Sequence, residues 1–398
     1  MNSTLDQNWR RIAIGSGAAM FACMALGRFS YTAMVPALVE SGQFTAVAAG
    51  YIGGGNLVGA LVGALVSTSL PKSLKEFTAI QIAVWLAVFG LFFSALDFGL
   101  IWLGFWRFLI GVSTGIVMVQ GLALTTNSAP TDRRAAAASY VFIGVGLGIF
   151  FAAGIIPILL YFGLVWAWIG IALAGLCAGL IVRWSWSGLQ ALYTESNVKT
   201  VSAGSKVEPE HVLIFAASFL FSFGIVPHTL FWVDFIAREL YLGLEIGSLH
   251  WLLVGVFAIF GPLCASYLSL LIGTPHALVA TFIVLGLGIG LPFLDVTSIS
   301  LVLSTILFGS QPAVSTLLAA RIRDMSHEAT VAKLMRNMIL ANGLGSAAGG
   351  IFLTNLFAAH QNYGLVFLSG SIAFILGGLF SLPVLSRLSA TGIRPKNS

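Results

Sequence analysis

Arg28 is the residue whose type and position point most directly to chemistry. It lies more than halfway along an otherwise apolar segment, residues 12–39. At 1.5 Å per helical residue this is roughly 16 residues, or about 24 Å, from the start of the segment. An ionisable group buried so deeply normally faces a bundle interior or a watery cavity. Tyr31 and Thr32 follow three and four residues later, so we expect them to share one polar, cationic helix face with Arg28.

The guanidinium of Arg28 offers a planar fork that suits a carboxylate, sulfonate or phosphate. Nearly all of the 14 acidic residues fall in predicted loops or at predicted helix ends, so no fixed counter-charge is evident for Arg28. An anionic substrate is therefore the favoured partner. The alternative is an internal clamp that involves Glu40, Asp234 or backbone oxygens.

The chain repeats itself at an offset of about half its length. Four glycine pairs are 197 to 200 residues apart: Gly27 and Gly224, Gly55 and Gly255, Gly111 and Gly309, Gly146 and Gly345. The members of each pair lie at like depths in corresponding apolar segments. This register predicts two halves of the same orientation.

Aligning Gly27 with Gly224 places His228 opposite Tyr31 and Thr229 opposite Thr32. We therefore expect His228 and Thr229 to face the same central cavity as Arg28. Histidine titrates near neutrality, which makes His228 a candidate proton carrier. The equally weighted alternative is a neutral histidine that bonds to a hydroxyl or carbonyl group.

Other polar residues lie within the apolar segments. Asp234 and Arg238 are four residues apart, which favours an ion pair, with a protonatable Asp234 as the alternative for proton coupling. Arg107 is shallow enough to snorkel or to clamp backbone carbonyls, although a binding role stays open. Asn56 and Gln311 complete the predicted substrate-binding set: Arg28, Tyr31, Thr32, His228, Thr229, Gln311 and Asn56.

Glycines recur at a spacing that favours close helix packing. Gly55, Gly59 and Gly63 are predicted to share one face, and Gly111 and Gly115 follow the same pattern. We interpret them as packing positions, with sliding between helices as a functional consequence.

Composition indicates a membrane protein, because 58% of the residues are hydrophobic, 8% are charged and the mean hydropathy is +0.98. Twelve apolar stretches are long enough to span a bilayer: 12–39, 47–70, 77–96, 100–127, 135–162, 165–184, 212–237, 248–272, 277–294, 299–320, 330–357 and 365–385. They predict an all-α membrane fold with an N-terminal six-helix bundle (1–184), a cytoplasmic connector (185–211) and a C-terminal six-helix bundle (212–398).

Basic residues predict the orientation, because cytoplasmic loops retain Lys and Arg. Sixteen of the 19 fall on one side: Arg10, Arg11, Lys72, Lys75, Arg133, Arg134, Arg183, Lys199, Lys206, Arg321, Arg323, Lys333, Arg336, Arg387, Arg394 and Lys396. Both termini are thus expected in the cytoplasm. The basic residues do not cluster on one face as they would in a protein that binds nucleic acid. The three cysteines all lie in apolar stretches, which predicts neither a disulfide nor a metal site.

The fourth apolar segment reads Gly104-Phe-Trp-Arg107-Phe-Leu-Ile-Gly111-Val-Ser-Thr-Gly115 and resembles the RxxxGxxxG pattern of the major facilitator superfamily. Gly27-Arg-Phe-Ser-Tyr-Thr32 followed by Pro36 is similar to the first helix of its YbfB/YjiJ branch. The resemblance implies a monomeric carrier of the bacterial inner membrane. Residues 70–76 lack the Gly and Asp signature that the family has in this loop.

Enzyme motifs such as a Walker loop, HExxH or a nucleophile elbow are absent from the sequence. We therefore expect no enzyme activity and no cofactor. The expected function is secondary transport of a small organic anion by alternating access, coupled to protons, within the lipid bilayer. The alternatives are an efflux carrier for drug-like or metabolite compounds and a membrane sensor that does not transport. A channel would need a continuous polar lining.

Overall fold

The computed structural model describes residues 3–69, 76–130, 133–189, 208–326 and 328–382. Within these ranges it contains twelve helices that are long and apolar enough to cross a membrane. In chain order α1 to α12 are Asn8–Glu40, Ala46–Ser69, Glu76–Phe93, Gly99–Ser128, Ala137–Leu160, Leu164–Ser185, Pro209–Glu239, Gly243–Ile272, Thr274–Leu294, Ser298–Met325, Lys333–His360 and Tyr363–Phe380. Three of these spans are parts of longer helices. The helical structure before α1, α5 and α11 begins at Ser3, Arg134 and Glu328, respectively.

The twelve predicted segments thus correspond to the observed helices, with ends that differ by a few residues. Helices satisfy every backbone hydrogen bond within one segment, which a bilayer requires. Most of the predicted connector, 190–207, and the loop 70–75 lie outside the described residues, as does the C-terminal tail from 383. The exact domain boundaries therefore stay a prediction.

Helices α2 and α4 make backbone contact through small residues. A β-carbon added to Gly59 would lie 2.2 Å from the Phe108 carbonyl oxygen, and one added to Gly63 would lie 2.0 Å from that of Val112. In α4, a β-carbon added to Gly111 would lie 2.1 Å from the carbonyl oxygen of Asn56 in α2. One added to Gly115 would lie 2.1 Å from the carbonyl oxygen of Ala60. These four glycines occupy packing positions.

Gly55 differs from the expectation, because no atom lies within 4 Å of its β-carbon position. A step of four residues exceeds one helical turn, so a row of glycines at this spacing rotates gradually around the helix. Gly55 has turned away from the face by which Gly59 and Gly63 touch α4.

We expect Gly63→Ala to destabilise the protein by about 1 to 3 kcal/mol, because the new methyl group would meet backbone that cannot move cheaply. Gly55→Ala is the matched control and should leave the stability nearly unchanged. The measurement is the unfolding temperature of both purified variants in one detergent. Equal losses in the two variants would contradict the packing assignment.

Two of the helices contain π-helical segments. In α1 this segment is Phe21–Phe29, and it carries Arg28. In α7 it is Phe235–Glu239, directly after Asp234, and α7 is also interrupted between Gly224 and Val226. Irregular turns of this kind are frequent at functional sites, because they change which face a side chain occupies.

The two bundles meet through α2 with α11 and α5 with α8. Gly54 of α2 approaches Gly350 of α11, whose carbonyl oxygen would lie 3.1 Å from an added β-carbon. Gly255 of α8 approaches the backbone nitrogen of Phe150 in α5, which would lie 2.7 Å away. We call the membrane side where α6 ends and α7 begins the connector side, and the opposite side the far side.

Candidate functional site

Arg28 lies at the inner end of a partly exposed stripe on α1. Between positions 19 and 36 the partly exposed residues are Phe21, Met24 and Arg28, and residues 29–36 are buried. All three lie within the π-helical segment Phe21–Phe29. We call these three residues the stripe; it lies on the connector side of the buried residues 29–36 and ends at Arg28.

No described residue supplies a counter-charge to the guanidinium of Arg28. Its Nε and Nη2 atoms are buried and have no hydrogen-bond partner among the described residues. Its Cζ atom lies 5.3 Å from the ring centroid of Phe29, which is a cation–π contact. Neither Glu40 nor Asp234 forms an ion pair with it, since Glu40 is exposed and Asp234 pairs with Arg238.

Arg107 of α4 lies beside Arg28, with only 1% of its surface exposed. Its Nη2 donates to the backbone carbonyl of Arg28 at 3.4 Å, and its Cζ lies 4.6 Å from the ring centroid of Tyr31. Its Nε and Nη1 are buried without a partner in the described part of the chain. Arg107 therefore does not snorkel. It bonds a backbone carbonyl, as a clamp would, and still presents two free donors.

Asn56 and Tyr31 hold this arrangement together. The Asn56 side chain donates from Nδ2 to the carbonyl of Arg107 at 2.7 Å, and the Tyr31 hydroxyl donates to the carbonyl of Ala49 at 2.9 Å. The Oδ1 atom of Asn56 is buried and accepts no hydrogen bond from any described residue. Within the described ranges, Arg28, Arg107 and Asn56 thus leave four guanidinium nitrogens and one amide oxygen without a hydrogen-bond partner.

Beyond Arg28, towards the far side, four hydrogen bonds join the two bundles. The Thr32 hydroxyl donates to the carbonyl of Thr229, and the Trp251 indole donates to the carbonyl of Phe29 at 3.0 Å. Nearer the helix ends, the Tyr51 hydroxyl donates to Asn355 and the Tyr161 hydroxyl donates to Glu245, the latter at 2.7 Å. These bonds cover the arginine pair on the far side.

His228 does not face Arg28, contrary to the expectation from the repeat. Its ring is fully buried and stacks between Trp232 and Phe308, with centroid distances of 4.4 and 4.6 Å. Its Nε2 lies 2.9 Å from the Ser304 hydroxyl, and its Nδ1 has no partner among the described residues. This is the geometry of the alternative, a histidine that bonds to a hydroxyl group.

The register of the repeat explains this orientation. Tyr31 points into its own bundle, where it bonds to the carbonyl of Ala49 in α2, and its counterpart His228 likewise points into the C-terminal bundle. Thr32 and Thr229 lie one residue further, about 100° around the helix, and meet each other between the bundles. The Thr229 hydroxyl itself bonds within α7, to the carbonyl of Ile225 at 3.0 Å.

Helix α10 contributes polar residues that the sequence analysis missed. Thr305, next to Ser304, accepts a hydrogen bond from the Trp232 indole at 3.2 Å and lies 2.6 Å from Nδ1 of His250. His250 and His228 are thus linked to neighbouring hydroxyls on one helix. The adjacent Ser304 and Thr305 within an apolar helix were the signal in the sequence.

Asp234 and Arg238 form the expected ion pair, with Nε to Oδ1 at 2.6 Å. Asp234 is 1% exposed and also accepts a hydrogen bond from the hydroxyl of Tyr363, which the sequence analysis did not anticipate.

Gln311 lies in the interruption of α10 between Ser298–Gly309 and Pro312–Met325. Its side chain is partly exposed, and no hydrogen bond connects it to the arginine pair among the described residues.

No group of three or more His, Cys, Asp or Glu side chains within the described ranges is placed to hold a metal ion. The arginine pair, the threonine contact and the pair of His228 and Ser304 lie on helices α1, α4, α7 and α10. These are corresponding helices of the two halves, which is the arrangement expected for a central site between repeats.

A family model described as "Uncharacterised MFS-type transporter YbfB" matches residues 20–382, which is nearly the whole chain and includes all the residues of the site. The chain belongs to this family of major facilitator transporters. This YbfB-type transporter has no match among curated proteins.

Solved structures of several transporters share its fold. A D-xylose-proton symporter superposes with a TM-score of 0.70 at 14% identity, over 94% of this chain and 96% of that one. A mutant of the peptide transporter POT gives 0.72 at 16% identity, over 96% and 99%. A POT family transporter in complex with a thioalcohol-conjugated peptide gives 0.73 at 13% identity, over 98% and 97%. At sequence identities this low, the structural similarity shows a shared fold and nothing about the substrate.

Proposed function

We propose that this YbfB-type transporter is a secondary carrier of a small organic anion, which it moves by alternating access and couples to protons. The observation that carries the proposal is the pair of unpaired arginines, Arg28 and Arg107, at the centre of the N-terminal bundle. A buried charge without a partner is costly, and an anionic ligand would supply the missing partner.

The bonding pattern of the pair supports a binding role over a purely structural one. In a structural clamp the donors of each guanidinium would be used by carboxylates or carbonyls of the protein. Here only Nη2 of Arg107 bonds a backbone carbonyl, and the Nε and Nη2 atoms of Arg28 are both free of protein partners among the described residues. Those two atoms form one edge of the guanidinium plane, the edge that binds a carboxylate through two parallel hydrogen bonds.

The conformation supports alternating access. Arg28 is partly exposed at the end of a stripe that runs from the connector side, and the four hydrogen bonds between the bundles cover it on the far side. With the connector side in the cytoplasm, this is an inward-facing state. Substrate release to the other side would require these four bonds to break while the bundles rock about the central site.

For proton coupling we propose His228, with Asp234 as the alternative. His228 has a free Nδ1 and a hydroxyl partner, Ser304, so a proton could be held at either ring nitrogen. Asp234 pairs with Arg238 and accepts a hydrogen bond from Tyr363, so both of its carboxylate oxygens already have partners, which makes it the weaker candidate. One of the proteins that share this fold is a D-xylose-proton symporter.

A ligand screen tests the anion assignment. Purified protein in detergent is heated with small carboxylates, sulfonates and phosphonates, and with neutral and cationic compounds of similar size. We expect some anions to raise the unfolding temperature by mass action, and the neutral and cationic compounds to have no effect. Stabilisation by neutral or cationic compounds alone would refute the proposal.

The orientation gives a separate prediction. Because the sequence predicts that sixteen of 19 basic residues fall on the side of the connector, reporter tags at either terminus and within 190–207 should all report cytoplasm in a bacterial cell. A tag inserted after Leu96, between α3 and α4, is the control and should report the periplasm. A periplasmic signal from the connector would contradict both the orientation and the two-bundle arrangement.

A further inference from the structure

The arginine pair carries two positive charges, whereas a monovalent anion would supply only one negative charge. Arg28 and Arg107 come from different helices, and the Nη2 atom of Arg107 lies 3.4 Å from the backbone carbonyl of Arg28. No ion pair with either guanidinium is found in the part of the chain that the structure describes. A monoanion would therefore leave one buried cation beside another without compensation.

The free donors also form two separate sets. Arg28 presents Nε and Nη2, which together make one bidentate edge. Arg107 uses Nη2 for the carbonyl of Arg28. Its remaining donor atoms, Nε and Nη1, do not share one edge of the guanidinium plane, so each can form only a separate hydrogen bond. One carboxylate would fill the Arg28 edge and leave the donors of Arg107 unused.

We propose that the substrate is a small dicarboxylate, with one carboxylate held by the edge of Arg28 and the second bonded by Arg107. This inference rests on the proposed anion transport and specifies its substrate class.

The position of Arg107 fits a ligand that enters from the Arg28 side. Arg107 is 1% exposed and is covered by the ring of Tyr31 on one face, whereas Arg28 is partly exposed at the end of the access stripe. The first carboxylate would meet Arg28, and the second would extend inwards to Arg107.

The test compares diacids with their monoamides, which have the same skeleton and one charge less. The probes are malonate, succinate and glutarate, each with its monoamide and diamide, measured by calorimetry on the purified full chain at neutral pH. We expect at least one diacid to bind ten-fold or more tightly than its monoamide, and the diamides not to bind. This wild-type comparison needs no variant.

Two variants assign the effect to Arg107. Arg107→Gln should lower the affinity for the best diacid about ten-fold or more and leave that for the monoamide nearly unchanged, whereas Arg107→Lys, which keeps the charge, should retain most of the preference. Arg183→Ala, at an exposed arginine near the end of α6, is the matched control and should change neither affinity.

The outcomes separate this inference from the proposed function. Monoamides or monocarboxylates that bind as tightly as the diacids would overturn the dicarboxylate assignment and leave anion transport standing. If only sulfonates or phosphonates bind, the dicarboxylate assignment is likewise overturned and anion transport likewise stands. If no anion of any class binds and neutral compounds do, both proposals fail together.

Discussion

Arg28→Ala should lose roughly 30-fold to several-thousand-fold in affinity for the anionic substrate. The estimate follows from the loss of a charge-assisted pair in a largely dry site, which costs about 2 to 5 kcal/mol. Arg28→Lys should also weaken binding substantially, because an ammonium group cannot reproduce the bidentate edge formed by Nε and Nη2. Calorimetry on purified variants, with the best ligand from the screen, measures both effects.

Thermal stability on the same samples distinguishes binding from structure. The side chain of Arg28 has two buried nitrogens without partners among the described residues, so its removal relieves a desolvation cost and folding should survive. The contact that Arg107 makes is to the backbone carbonyl of Arg28, which remains in Arg28→Ala. A structural clamp predicts the reverse, namely lower stability with near-normal affinity. That result would remove the main reason to regard the substrate as an anion.

His228→Ala should abolish accumulation of substrate against its gradient while counterflow exchange continues, if His228 carries the coupled proton. Exchange does not require net proton movement, so it reports whether the binding site and the conformational change are intact. The measurement is uptake into proteoliposomes with and without an imposed pH gradient. Accumulation that still responds to the pH gradient as in the wild type would remove His228 from the mechanism.

Two further variants control for the packing of this residue. His228 is fully buried between Trp232 and Phe308, so His228→Ala also leaves a cavity, which typically destabilises a protein. His228→Gln keeps a polar group near Ser304 and fills more of the pocket, and it should also lose accumulation because glutamine cannot carry a proton. Ser304→Ala keeps the imidazole and should retain coupling, if the hydroxyl only orients the ring.

Features that depend on neighbouring residues could be predicted from the sequence. The twelve helices follow from runs of apolar residues, since a bilayer admits few other structures. The ion pair between Asp234 and Arg238 follows from a spacing of four residues within one helix. The depth of Arg28 follows from counting residues along its segment, and its lack of an acidic partner follows from where the acids lie in the chain.

The repeat identified equivalent residues but did not decide where their side chains point. It aligned Thr32 with Thr229, and the Thr32 hydroxyl bonds the carbonyl of Thr229 between the bundles. The same register paired Tyr31 with His228, but both side chains point into their own bundles. A repeat shows which residues are equivalent, whereas the rotation of each helix, which the π-helical segment in α1 and the interruption in α7 influence, decides where a side chain points.

What the sequence by itself determined, then, is the membrane topology class, the helix count and the presence of a deep cation, because each depends on local composition and on distance along one helix. Only the tertiary structure placed Arg107 beside Arg28, which is 79 residues away in the chain. That contact depends on how closely α4 approaches α1, where Gly27 packs against Ile110 and the Thr114 hydroxyl donates to the carbonyl of Cys23. Such distances arise from packing between helices, which no pattern within a single segment contains.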